Sequence, residues 1–157
     1  MTSLKTRALR EDLVTQASLE AYASVRHDGR LADRALDYTL RNKKHLYSQE
    51  RRAVAERVYA LLRKQRLVDF LAEVKVKNFA SLGQSRQDLL RLAISRVLDG
   101  DNASSVIEAQ LLPGTDAAWL RTVEHAKTKL ADKPELERFA IEASIPDFLA
   151  AKLLAEL

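Results

Sequence analysis

Four glycines and three prolines in 157 residues leave this chain few places to turn sharply. A β-sandwich or a doubly wound α/β fold needs many tight turns, and tight turns draw on those residues. The scarcity favours long helices joined by short links. The apolar spacing agrees: Leu9, Leu13, Ala17, Ala21 and Val25 recur every four residues, the period of one helix face. The sequence therefore predicts an all-α fold, a compact bundle of about seven to eight helices.

The first predicted helix covers residues 6–27 and stops at Asp28-Gly29, with Gly29 suited to a left-handed C-terminal position. The second covers 31–42, with Ala32, Ala35, Leu36, Thr39 and Leu40 on one face. Ser48 is placed to cap a long third stretch that reaches Lys77 and breaks near Gln65. Ser85 with Asp88 resembles a capping box ahead of a helix over 86–98. A short helix over 103–112 ends at Pro113-Gly114, and another over 116–130 carries Trp119. A further segment reaches Ala143, and Pro146 opens a last helix over 146–157.

Apolar residues make up 46% of the chain, which suffices for a core and argues against disorder. No stretch approaches the roughly 18 apolar residues of a membrane span, and the polar N-terminus lacks a signal-peptide core. The absence of cysteine rules out disulfides, thiolate nucleophiles and cysteine-held metal centres. A soluble, cytoplasmic chain with no membrane partner is expected.

The parts of an active site are hard to find. His27, His45 and His125 lie far apart, in no metal-binding pairing, so no metal is expected. No glycine-rich loop can cradle a phosphate or a dinucleotide, so no cofactor is expected in this chain and the chain alone is read as non-enzymatic. Glu11, Asp33 and Glu56 alternate with basic residues, as surface ion pairs on helices do. Trp119 and Tyr59 are able to stack on bases, but their apolar neighbours favour core packing.

The net charge of +4 is unevenly spread. Residues 1–79 hold 17 Lys/Arg against 10 Asp/Glu, and residues 80–157 hold 9 against 12. A local basic field is what nucleic acid requires, although solvated helix faces also account for one.

Several segments, taken in order, resemble the helical domain shared by the NusB antitermination factors and the N-terminal region of the RsmB (Fmu/Sun) family of bacterial rRNA cytosine-C5 methyltransferases. Arg52 followed by Tyr59-Ala60-Leu61-Leu62-Arg63 resembles one family run, and Asp69 matches the aspartate beyond it. Leu90-Arg91-Leu92-Ala93 with Leu98, then 103–109 with Glu108, match the next two helices. Ala60 replaces the family glycine, Asp101-Asn102 stands where a proline is usual, and Arg121 replaces an asparagine. The run Ser144-Ile145-Pro146-Asp147-Phe148 resembles the segment that leads into the methyltransferase part. With the apolar pattern still running at Leu157, it suggests the N-terminal piece of a larger enzyme.

The resemblance implies a NusB-like RNA-binding domain over 1–132 and, over 133–157, the start of a connection toward a methyltransferase domain. That domain would bind S-adenosylmethionine and methylate rRNA through a cysteine. The expected partners are RNA, in particular rRNA, and the methyltransferase domain itself. The candidate RNA-binding residues are Lys5, Arg7 and Arg10, then Lys43 and Lys44, then Arg51, Arg52, Arg63, Lys64 and Arg66. Arg52 and Arg63 have an equal structural reading, in which Arg63 binds helix carbonyls or Asp69. Two other functions remain open: an antitermination factor that binds RNA with a ribosomal-protein partner, and a protein–protein docking bundle.

Overall fold

Helix is the only regular structure in the computed structural model, which describes residues 8–110 and 118–156. Among the described residues there are eight α-helices, two 3-10 segments and no strand. The all-α expectation is met. The chain divides into two compact units, Met1–Val58 and Tyr59–Leu157, and the division falls inside a continuous helix.

The first unit contains α1 (Glu11–Arg26), α2 (Ala32–Arg41) and the opening of α3 (Ser48–Arg63). The four-residue stripe of α1 is buried as expected at Val14, Ala17 and Ala21, with Tyr22 beside them. Burying a side chain such as Val14 contributes about 1.5–3 kcal/mol, which makes this stripe the main stabiliser of α1. The helix begins at Glu11, later than the periodicity predicts. Arg10 is its N-cap and takes non-helical dihedrals, because its backbone N–H and its guanidinium are both bound to Glu50. Gly29 has φ +74°, the left-handed turn expected there, and the Arg30 N–H returns to the Ser24 carbonyl.

α2 packs on α1 and is sharply amphipathic. Ala35, Leu36 and Thr39 are buried, while Arg34, Asp37, Tyr38 and Arg41 face solvent. Ser48 is the first helical residue of α3 and not its cap. Glu50 takes the capping part, accepting the Tyr47 N–H at 2.9 Å.

The second unit continues α3 and adds α4 (Gln65–Lys75), α5 (Gln84–Leu98), α6 (Ala103–Gln110), α7 (Glu135–Ala143) and α8 (Asp147–Glu156). The predicted break near Gln65 is present at Lys64, where the backbone leaves the helical region. Short 3-10 turns cover Phe79–Ser81. The stretch predicted as a helix over 116–130 is 3-10 over Ala118–Asp132, kinked at Thr122. The expected Pro113-Gly114 stop lies outside the described residues.

α4 is central to this unit, packing against α5, α7 and the 118–132 segment through Leu67, Val68, Leu71 and Ala72. α5 is buried on most sides, so its polar residues must be satisfied inside the protein. Ser85 does not cap it. The N-cap is Gly83, and Asp88 is buried against Arg91 instead. α5 closes on Gly100, φ +102°, with the Asp101 N–H on Arg96 O and the Gly100 N–H on Val97 O. α7 closes the same way on Ser144, φ +54°, an unusual conformation for a residue with a side chain. The Ser144 hydroxyl accepts the Leu67 N–H and thereby caps α4 from across the unit.

Candidate nucleic-acid interface

Charge separates the two units. Met1–Val58 holds 12 Lys/Arg against 8 Asp/Glu, and Tyr59–Leu157 holds 14 of each. The whole net charge of +4 therefore belongs to the first unit.

Within it, the candidate cations divide by what they already hold. Lys5 and Arg7 lie outside the described residues. Arg10 is committed. Its Nε lies 2.9 Å and its Nη2 2.5 Å from the Glu50 carboxylate, Nη2 also donates to His45 O, and the guanidinium stacks 4.0 Å over Tyr47. The Glu50 side chain is 1% exposed. The Arg10 hydrogen bonds, joined by the Tyr47 and Arg10 N–H groups, hold its pKa down at about 2. Arg51 is equally committed, donating to Leu46 O, Leu40 O and Lys43 O. It ties the end of α2 and the following link to α3. Lys43 pairs with Glu20 at 3.0 Å. Lys44 and Arg52 are exposed, with no ion pair or hydrogen bond to a described residue.

In the second unit, Lys64 pairs with Asp99 at 3.1 Å and donates to Ala60 O. Burial pushes its pKa below the ordinary lysine value, partly offset by Asp99. Arg66 holds the Ser-Ile-Pro-Asp run, donating to Ile145 O at 2.7 Å and to Asp147 at 2.8 Å. Arg63 is exposed, with no such contact to a described residue. Asp69, its suggested partner, is held by Arg91 at 2.8 Å. Arg91 also binds Asp88 at 2.8 Å and lies over the Phe79 ring. Two of the residues that carry the family resemblance, Asp69 and Arg91, thus form a part-buried ion pair.

The α2 face carries a group that the sequence reading passed over. Arg34, Tyr38 and Arg41 stand at i, i+4 and i+7, which places them on one side of the helix. Arg30 joins them from the α1–α2 link, its guanidinium 5.3 Å from the Tyr38 ring centroid. Tyr38 is 58% exposed. Arg30, Arg34 and Arg41 line one concavity of about 500 Å³ around Tyr38. Its one carboxylate, Asp37, pairs with Arg41 on the open surface, and Arg34 has no partner among the described residues. A second concavity of about 480 Å³ shares Arg30 and Tyr38 and is walled by Asp28, Thr39, Asn42 and Lys43. The sequence signal was available: the polar side of an amphipathic helix held two arginines one turn either side of a tyrosine.

Of the histidines, His27 is half-buried and His45 and His125 are exposed. No group of three His, Asp or Glu side chains among the described residues is arranged to hold a metal ion. No described helix is long and apolar enough to cross a membrane. Trp119 and Tyr59 are half-buried, between the stacking and the core readings. No family model, curated protein or solved structure matches the chain, so a reading of its function rests first on its own surface.

Proposed function

We propose that the chain binds RNA, and that the α2 face of the Met1–Val58 unit is the contact surface. One observation carries this reading: three guanidiniums line a single concavity around an exposed tyrosine, and Asp37 is the one carboxylate in that lining. An exposed pair such as Arg41–Asp37 contributes only about 0.3–0.5 kcal/mol, so phosphate displaces Asp37 at little cost. Arg meets phosphate through two parallel hydrogen bonds and gains from counterion release. Lys44 and Arg52, also exposed in this unit, add to the local field.

The resemblance to the NusB/RsmB helical domain narrows the RNA to rRNA and gives the binding a purpose, which is to present rRNA to a cytosine-C5 methyltransferase domain. The residues of this chain do not fit the cofactor of that reaction. There is no glycine-rich loop to cradle it, and the cysteine nucleophile of that reaction is absent as well. The share proposed for this chain is binding and orientation, and S-adenosylmethionine would be held by the methyltransferase domain.

Fluorescence anisotropy with a labelled RNA of about 12 nucleotides tests the reading. If about three to five phosphates are contacted, log Kobs should fall against log salt with a slope of about −2 to −4. A flat salt response, or no binding at low salt, would refute RNA binding. The docking-bundle reading has one observation in its favour. Phe148 and Leu153 on α8 are 76% and 40% exposed. It becomes the better reading if the chain fails to bind RNA and Phe148→Ser abolishes co-purification with a methyltransferase domain.

A further inference from the structure

We infer that the nucleic acid this surface takes is unpaired, with one base stacked on Tyr38 and the flanking phosphates on Arg34 and Arg41. The inference rests on the RNA-binding reading and names its substrate class.

Tyr38 is the starting point. Tyr22, on α1, is buried to 1% exposure, yet Tyr38 leaves most of its ring in water. Its hydroxyl donates to no described residue. A single exposed aromatic is ordinary on a protein surface. This one sits where two concavities meet, each within the size range of small-molecule sites. Arg30 lies over the ring and steadies it, and a guanidinium is itself a stacking surface for a base.

The cations around the ring suit a strand. Arg34 and Arg41 are about 10 Å apart along the helix axis, from a rise of about 1.5 Å per residue. Tyr38 lies between them. A nucleotide whose base rests on the ring therefore has a guanidinium available on each side of its sugar-phosphate link. The second concavity offers the exposed Asn42 amide and Asp28 carboxylate to the edge of a neighbouring base, while its Lys43 ammonium is held by Glu20 and its Thr39 is buried.

Duplex RNA makes poor use of this arrangement. Its bases are stacked inside the helix, and its readable surface is phosphate and 2′-hydroxyl. A stacking platform is matched to a strand whose bases are free.

The test compares a single-stranded RNA with a blunt hairpin of equal nucleotide number, using the full chain, Tyr38→Ala, Tyr38→Phe and the double variant Arg34→Ala/Arg41→Ala. Circular dichroism checks that each variant keeps its helicity. Tyr38→Ala should weaken single-strand binding about ten-fold, with an unchanged salt slope, because stacking releases no counterions. Tyr38→Phe should bind like the parent. The arginine double variant should weaken binding and flatten the slope by about one to two units. The hairpin should bind more weakly than the single strand and be indifferent to Tyr38→Ala. The inference is overturned, with RNA binding intact, if the hairpin binds as tightly as the strand or if Tyr38→Ala binds like the parent. If neither RNA binds, the RNA-binding reading falls and this inference with it. A single-stranded DNA of the same sequence shows whether the 2′-hydroxyl matters. Equal binding of the DNA would support stacking and phosphate contact as the whole of the recognition.

Discussion

The two units of this molecule divide their arginines differently between structure and surface. In Tyr59–Leu157, charge is balanced and three arginines hold structure, Arg91 on Asp69 and Asp88, Arg96 on Asp101, and Arg66 on Ile145 O and Asp147, while Arg63 stands exposed without a described partner. In Met1–Val58, Arg10 and Arg51 do the same work, but Arg34 and Arg52 stand exposed without a described partner. A count of basic residues does not distinguish these uses. The partner of each committed arginine does, and several of those partners lie far away in sequence.

The comparison breaks most visibly at Arg91. Replacing it with Ala removes the guanidinium that binds buried Asp88 and partly buried Asp69. The expected loss is about 3–5 kcal/mol in urea unfolding, the range for removing one partner of a buried pair. A loss below about 1 kcal/mol would mean that water or rearrangement satisfies the two carboxylates, and that arginine in this unit is not structural.

A smaller loss is expected at Glu50, the equivalent anchor of the first unit. Glu50→Gln should cost about 2 kcal/mol at neutral pH, the scale of hydrogen bonds to a charged group. The cost depends on pH. Glu50 has a pKa of about 2 in the folded chain against an ordinary 4.5, so its ionised form stabilises the fold at any pH above 4.5. That contribution drains away as pH falls from 4.5 toward 2. The Gln variant does not titrate there, so the difference between the two proteins should close over that window. A difference independent of pH would place the effect of Glu50 in packing and not in its charge.

The exposed arginines should behave in reverse. Arg34→Ala with Arg41→Ala should leave stability within about 0.5 kcal/mol, as surface changes do. It should lower RNA affinity about ten-fold, or about 1.4 kcal/mol. The smallest effect is expected from Lys127→Ala with Lys129→Ala, in the electrically balanced unit. RNA affinity should stay within about two-fold, since general charge loss there removes no phosphate contact. An equal loss from both double variants would show that total charge matters and the α2 surface does not.

Much of the fold is legible in the residues. Gly29 marks a helix end because glycine takes a left-handed turn at little cost. The apolar stripe of α1 is read directly from its period. The late start of α1 is not legible, because Glu50 lies 40 residues from the arginine that it holds out of the helix. The 3-10 character of 118–132 is not legible either, since its apolar spacing also fits an α-helix. Clustering along the sequence gathers Arg51, Lys64 and Arg66 together with Lys44 and Arg52. Clustering on a helix face instead leads to Arg34, Tyr38 and Arg41. Committed cations differ from displayed ones in tertiary partners, and a linear pattern carries little of that.

Ultraviolet cross-linking of the chain to a single-stranded RNA, with the modified peptides mapped by mass spectrometry, tests most directly whether the displayed arginines form the binding surface. Cross-links should concentrate on the peptide that contains Tyr38 and on its neighbours within residues 27–44, and should fade as salt rises. Cross-links confined to residues 118–156, or scattered in proportion to lysine and arginine content over both units, would contradict the account.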